Sequence, residues 1–240
     1  VASNAILETF SKDYELFNLP YLFQSTEAYH GAMEDEEVTG PVFSATRQAG
    51  FTAVAWLDAG TRNFYTVKKP VKRPEDLRGL KIRVQQSPTN IEMMRLLGGS
   101  ATPMGFGDVY TALQSGVIDG ADNGHGDVCR YYSYDMHQMV PDLLIGNYGF
   151  LESLTEEERA VFEEGFEELE RVQQEEWGKA VEAAREKAET EQKVTFLYPD
   201  REPFAAAVLP LHEMVLERNP ALRPLYERIR KYNEMYTSGQ

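Results

Sequence analysis

Apolar positions in this chain follow two periods, and the switching between them is sharpest from Pro74 to Asn123. Lys81–Gln85 alternates, with Ile82 and Val84 on one face, and predicts a short strand. Ser87 and Pro88 supply an N-cap and a first-turn proline for a helix carrying Ile91, Met94 and Leu97, and Gly98 and Gly99 end it. An extended Ser100–Thr102, a helix from about Asp108 to Ser115 stopped by Gly116, and an apolar strand Val117–Ala121 complete the unit. Strands alternating with helices in this way predict a parallel sheet.

The remainder reads less regularly. Asn4–Phe23 is a loop with a short helix, and Ser25–Gln48 a helix entered through Ser25 and Thr26 and ended near Gly50. Phe51–Trp56 predicts a strand and Thr61–Val67 an extended segment, which feeds the basic, proline-flanked connector Lys68–Arg73. Leu154–Gln192 opens on a capping box, Thr155 with Glu158, and places Phe162, Phe166, Leu169, Val172, Trp177, Val181 and Ala184 at helical intervals. One helix of that length reaches roughly 50 Å, enough to brace two lobes. Val194–Tyr198 predicts a further strand, and Glu202–Leu216 and Leu222–Tyr236 closing helices interrupted at Asn219 and Pro220.

The 240 residues suffice for one large domain or two modest lobes. With 39 acidic against 24 basic residues the formal charge is −15, which argues against a nucleic-acid or anionic-membrane binder but says little about a small ligand. One cysteine, Cys129, excludes an intrachain disulfide and a four-cysteine zinc site and reads as a half-buried structural residue. No apolar run approaches the roughly 20 residues that span a bilayer, and no signal peptide opens the chain. His30, His125, His137 and His212 form no His-Glu-x-x-His pair, and there is no Gly-x-Ser-x-Gly elbow, P-loop or full Gly-x-Gly-x-x-Gly. The cluster Asp119, Asp122, Asn123, His125 and Asp127 misses the spacing of a calcium loop and reads as a turn with solvated acids. Neither a cofactor nor a metal is expected, and an enzyme finds little support.

One residue stands apart. Arg83 lies near the carboxyl end of a predicted parallel strand, the end beyond which open α/β sheets bind ligands, and a helix N-terminus follows within a few residues. A guanidinium fork and free N–H groups together suit a carboxylate. An exposed arginine in an ordinary strand–helix unit has the same spacing.

Three runs tip that balance. Pro74–Val84, Thr102–Gln114 and Asp119–Asn123 stand in order, joined by Asn18–Phe23 and Thr61–Phe64, and with them the chain resembles the solute-binding subunit of tripartite ATP-independent periplasmic (TRAP) transporters. The resemblance implies an α/β, two-lobed fold of the periplasmic-binding-protein type with a long bracing helix. It implies a first lobe over residues 1–59, incomplete because Val1 falls inside a strand of the family pattern, so that an unpaired strand edge is expected. A second lobe over 60–140 follows, then a return to the first lobe, the long helix and closing helices over 141–240, with the lobes crossing near Asp58–Arg62. Carried over by motif, Arg83 grips the ligand carboxylate, Arg62 is a second ligand-facing arginine, Asn123 is the pocket asparagine, Phe106 lies against the ligand and Gln86 holds a polar position. The implied role is capture of a small organic acid in the periplasm and delivery to the membrane permease subunits, without chemistry, nucleic acid or insertion into the membrane. A ligand-sensing domain for a signalling partner and, further off, an enzyme on a similar scaffold are the alternatives. Two departures bear on the site: the family's Glu-Asn is Asp122-Asn123 here, and the helical stretch that should follow is shorter, with Gly124, His125 and Gly126 in its place.

Overall fold

The alternating segments resolve into two separate sheets in a computed structural model that describes residues 1–122 and 128–237. The strands are β1 (Ala2–Ser3), β2 (Phe51–Leu57), β3 (Thr61–Thr66), β4 (Lys81–Val84), β5 (Ser100–Pro103), β6 (Gly120–Ala121), β7 (Tyr131–Met139), β8 (Asp142–Asn147) and β9 (Thr195–Leu197). One sheet is antiparallel and ordered β1-β8-β2, so that β1 and β2 form its edges; the other is ordered β5-β4-β6-β3-β7-β9. In the larger sheet β4 runs parallel to β5 and β6, whereas β3 runs antiparallel to β6 and β7. The helices are α1 (Asn4–Leu7), α2 (Thr26–Met33), α3 (Glu36–Phe43), α4 (Pro88–Leu96), α5 (Phe106–Gln114), α6 (Tyr148–Glu152), α7 (Glu156–Thr190), α8 (Glu202–Arg218) and α9 (Arg223–Thr237).

Strand alternation divides the larger sheet between two cores. Ile82 and Val84 of β4 and Phe64 of β3 enter the main cluster with Phe17, Trp56, Met93, Leu143 and Phe204, which draws on both sheets and on α4 and α8. Their neighbour Tyr65 points the other way, into a smaller cluster with Val109, Leu113, Ile118, Ala121, Cys129 and Ala188. Cys129 is therefore fully buried, deeper than the half-buried position its sequence context suggests. At about 25 cal/mol per Å² of apolar surface removed from water, each large side chain in these clusters contributes about 1.5–3 kcal/mol.

Two segments depart from their sequence reading for local reasons. Ser25–Gln48 is two helices and a tight helical turn, because Asp35 caps α3 through the Glu37 N–H and also pairs with Arg228 and the Tyr232 hydroxyl of α9. That tertiary anchor holds the break open. Only Gly120–Ala121 of the expected strand Val117–Ala121 joins the sheet. Gly116, in the left-handed region, turns the chain, and the N–H groups of Val117 and Ile118 return to the Ala112 carbonyl at the end of α5, leaving Val117 55% exposed. Gly120 then passes so close to the Tyr65 carbonyl that a Cβ would collide with it.

The long helix α7 touches both sheets. Its capping box forms reciprocally between Thr155 and Glu158. Midway, Glu170 Oε1 accepts the Trp56 N–H, and Gln173 both accepts the Asp58 N–H and donates to the Asp58 carbonyl. Trp177 packs on Gly60, whose positive φ turns the chain between β2 and β3. Further along, Arg185 lies over the Tyr134 ring of β7 and Ala188 enters the smaller core. The apolar stripe on α7 is only half covered: Phe162, Leu169, Val172, Trp177 and Val181 remain substantially exposed and, among the described residues, Ala188 alone is buried.

Candidate functional site

Three parallel strands, β5, β4 and β6, end side by side, and a charged group or a backbone carbonyl sits at each end. Arg83 stands opposite Thr102 on one side and Ala121 on the other. Its Nε and Nη2 donate to the carbonyl of Met104, just past β5, at 3.1 and 3.0 Å, and its Nη1 to Asp122 Oδ1, just past β6, at 3.5 Å. Because β3 runs antiparallel to β6, it is the start of β3 that reaches this end. Arg62 Nη1 lies 3.6 Å from Asp122 Oδ2. The β3–β7 register breaks beside it, with Tyr134–His137 opposite Asn63 alone. Asp135 secures that bulge by accepting from the Phe64 N–H at 3.0 Å and pairing with His137 Nδ1 at 2.8 Å.

The electrostatics are unbalanced. Arg83, Arg62 and Asp122 are 3%, 6% and 0% exposed, so away from water two guanidiniums share the Asp122 carboxylate, while the partly buried Asp142 acts on Arg62 from further off. Both contacts are long, and neither Arg62 Nη1 nor Asp122 Oδ2 has a hydrogen-bond partner among the described residues. Burial pushes the Arg83 guanidinium down from its ordinary value; Asp122 opposes that shift and Arg62 adds to it. Taking an ion out of water costs several kcal/mol unless pairing is close to ideal. A small anion would supply the missing negative charge, and a carboxylate matches the guanidinium fork.

Of the other expected residues, Phe106 lies beside this pair. Phe106 opens α5, 68% exposed, with its ring centroid 6.0 Å from the Arg83 guanidinium carbon, an aromatic lip beside the charge. Gln86 is exposed on the bend after β4, whereas Gln85 is buried and its Oε1 has no partner among the described residues. Strand periodicity held that signal, since residues two apart share a face and Gln85 follows Arg83 by two. Asn123 lies outside the described residues.

The helix N-terminus expected to assist Arg83 is occupied from within. Glu8 sits against the first turn of α4, its Oε1 accepting from the Thr89 N–H at 3.1 Å and hydroxyl at 3.0 Å, its Oε2 from the Ser87 hydroxyl at 2.6 Å and Asn18 Nδ2 at 2.8 Å. The expectation that Arg83 and this helix end hold one anion together is thereby corrected: the α4 end already carries a carboxylate. Nothing in the local sequence around Glu8 signals the contact, which joins residues 79 and 81 positions apart. Gln138 links the two places, standing opposite Arg62 in the ladder and donating to Asn90 Oδ1 in the first turn of α4 at 2.8 Å. Among the described residues no three histidine, cysteine, aspartate or glutamate side chains converge as a metal site.

An α/β scaffold with buried arginines gathered at the carboxyl ends of parallel strands has the layout of a solute binder of the periplasmic type. The family model for bacterial extracellular solute-binding protein, family 7 (DctP), matches residues 1–219, and the chain belongs to that family. It is similar to the TRAP periplasmic solute-binding protein of Anaerococcus prevotii, solved with bound α/β-D-glucuronate: 63% identity, TM-score 0.95, covering 98% of this chain and 79% of that one. The corresponding protein of Roseobacter denitrificans, with bound β-D-glucuronate, is 31% identical with a TM-score of 0.89 over 95% of this chain and 78% of that one. A protein of Salmonella typhimurium, YiiZ, is 42% identical over 235 residues, 95% of this chain and 72% of its own length. The family binds solutes outside the cytoplasm and is not one of enzymes, as the motif resemblance implies. No helix among the described residues is long and apolar enough to cross a membrane.

Proposed function

We propose that this protein captures a hexuronate, an acidic sugar with one carboxylate, and delivers it to the membrane subunits of a TRAP transporter. The observation that carries the reading is the Arg62–Asp122–Arg83 arrangement, two buried cations on one anion at the ligand end of the sheet. A ligand carboxylate on Arg83 and Arg62 gives the two guanidiniums a second paired anion beside Asp122, and Phe106 offers a ring face to the apolar side of a sugar. Glucuronate and galacturonate in similar solved proteins support the same ligand class.

Each sheet is the centre of one lobe in this reading, residues 1–59 leading into the second lobe at 60–140 and the chain returning through β8. The crossing at Asp58–Arg62 is then the hinge, gripped by Gln173 and Trp177 of α7. Closure around the ligand gives the permease a shape to recognise. The test is calorimetric titration of the full-length protein with D-glucuronate, D-galacturonate, succinate and neutral D-glucose. Either uronate should bind and glucose should not; binding of glucose as tight as that of the uronates would overturn the reading.

A further inference from the structure

A helix N-terminus is a ready seat for a carboxylate, and α4 begins beside the arginine pair. That seat is taken. Four donors, from Asn18, Ser87 and Thr89, converge on the two oxygens of Glu8, the bonding pattern of an acceptor-only carboxylate. Ser87 Oγ, which donates to Glu8, also accepts the Asn90 N–H at 3.1 Å, so the first turn of the helix has little left to offer a second anion. Through Asn90 and Gln138 this turn connects directly to the strand position opposite Arg62. The region thus carries two buried guanidiniums at one end and a fully hydrogen-bonded carboxylate at the other.

We infer that Glu8 is a specificity-determining residue: by filling the α4 N-terminus it restricts the site to acids with a single carboxylate and a neutral, hydroxylated far end, and rejects dicarboxylates. The inference rests on the reading of Arg62 and Arg83 as the carboxylate seat. Like charges in a partly desolvated site are strongly unfavourable, which is how binding sites exclude near-isosteres. The neighbouring amides agree. Asn90 Nδ2 and Gln138 Oε1 are buried without partners among the described residues, one donor and one acceptor. A hydroxyl can serve either, whereas a carboxylate, which only accepts, leaves Gln138 Oε1 unmatched.

The experiment is calorimetric titration of the full-length protein with D-glucuronate, with the diacid D-glucarate, and with the glucarate monoamide, which keeps the open skeleton and removes the second charge. Wild type should bind the monoamide at least tenfold more tightly than the diacid, and Glu8→Gln should shrink that ratio at least tenfold while still binding glucuronate. The wild-type comparison needs no variant, so a misfolded Glu8→Gln leaves the first ratio decisive. Equal affinity of wild type for monoamide and diacid, with glucuronate bound, overturns this inference and leaves the uronate reading standing. An unchanged ratio in a folded Glu8→Gln overturns it as well. Loss of glucuronate binding altogether in wild type counts against the arginine-pair seat and takes this inference with it.

Discussion

Arg83 and Arg171 are the same side chain in opposite settings. On the outer face of α7, Arg171 is 62% exposed and meets both oxygens of Glu168 at 2.7 and 2.8 Å, and Lys179 reaches Glu175 and Glu176 at 2.8 Å each. At the end of β4, Arg83 is buried and its contact to Asp122 is 3.5 Å, shared with a second arginine. Pairing is near ideal where solvent screens the charge and incomplete where burial makes incompleteness costly. That inversion sets the arginines of β3 and β4 apart from those on the helix surface, and it is the contrast on which the proposed carboxylate seat rests.

The comparison can be broken most directly at Arg83. Arg83→Ala should weaken uronate binding by roughly 2–5 kcal/mol, and Arg83→Lys should not restore it, because a point charge cannot reproduce two parallel hydrogen bonds; equal titrations for the three proteins would return Arg83 to a structural role. Asp122→Asn removes the carboxylate that contacts both buried guanidiniums. It should lower the ligand-free stability by about 3 kcal/mol and enlarge the stabilisation by added uronate relative to wild type, read by denaturant melts with and without ligand.

A milder test lies at the crossing, where His30 Nε2 pairs with Asp58 Oδ2 at 2.8 Å. The hydrogen bond to Asp58 raises the His30 pKa, burial opposing it and the aspartate charge reinforcing it. A raised folded value means the stabilisation is complete below the unfolded pKa of about 6.5 and fades as pH rises through the folded one. The stability gap between wild type and His30→Gln, about 1 kcal/mol or less, should therefore be widest in mild acid and close in the alkaline range; a gap that widens with pH would contradict the pairing. The smallest effect belongs to α7. Arg171→Ala and Lys179→Ala should leave the melting temperature within the scatter of replicate scans at any salt concentration.

Much of this was legible in one dimension. Ser87 caps α4 through the Asn90 N–H and Thr155 forms its box with Glu158, as side chains within three residues of their targets should. The Arg83 position follows from strand order and the parallel-sheet rule. What escaped are contacts closed only by the fold. Glu8 reaches α4 across the length of the intervening chain, and Asp35 breaks a helix because Arg228 and Tyr232 wait on α9. The two-residue repeat of β4 puts the buried Gln85 on the Arg83 face, whereas the motif points to the exposed Gln86. The half-exposed stripe on α7 was invisible because periodicity reports which face is apolar, not what lies against it.

The grip of α7 on β2 has a second consequence. Among the described residues β2 pairs with β8 on one side only, and such an edge presents a row of N–H and C=O groups, the template on which foreign strands add and fibrils begin. Glu170 occupies the Trp56 N–H, and the Gln173 amide takes both the N–H and the carbonyl of Asp58, imitating with one side chain the paired bonds of a neighbouring strand. Two residues on a helix thus take over bonds that a neighbouring strand would make, and blunt this stretch of the edge against a recruit.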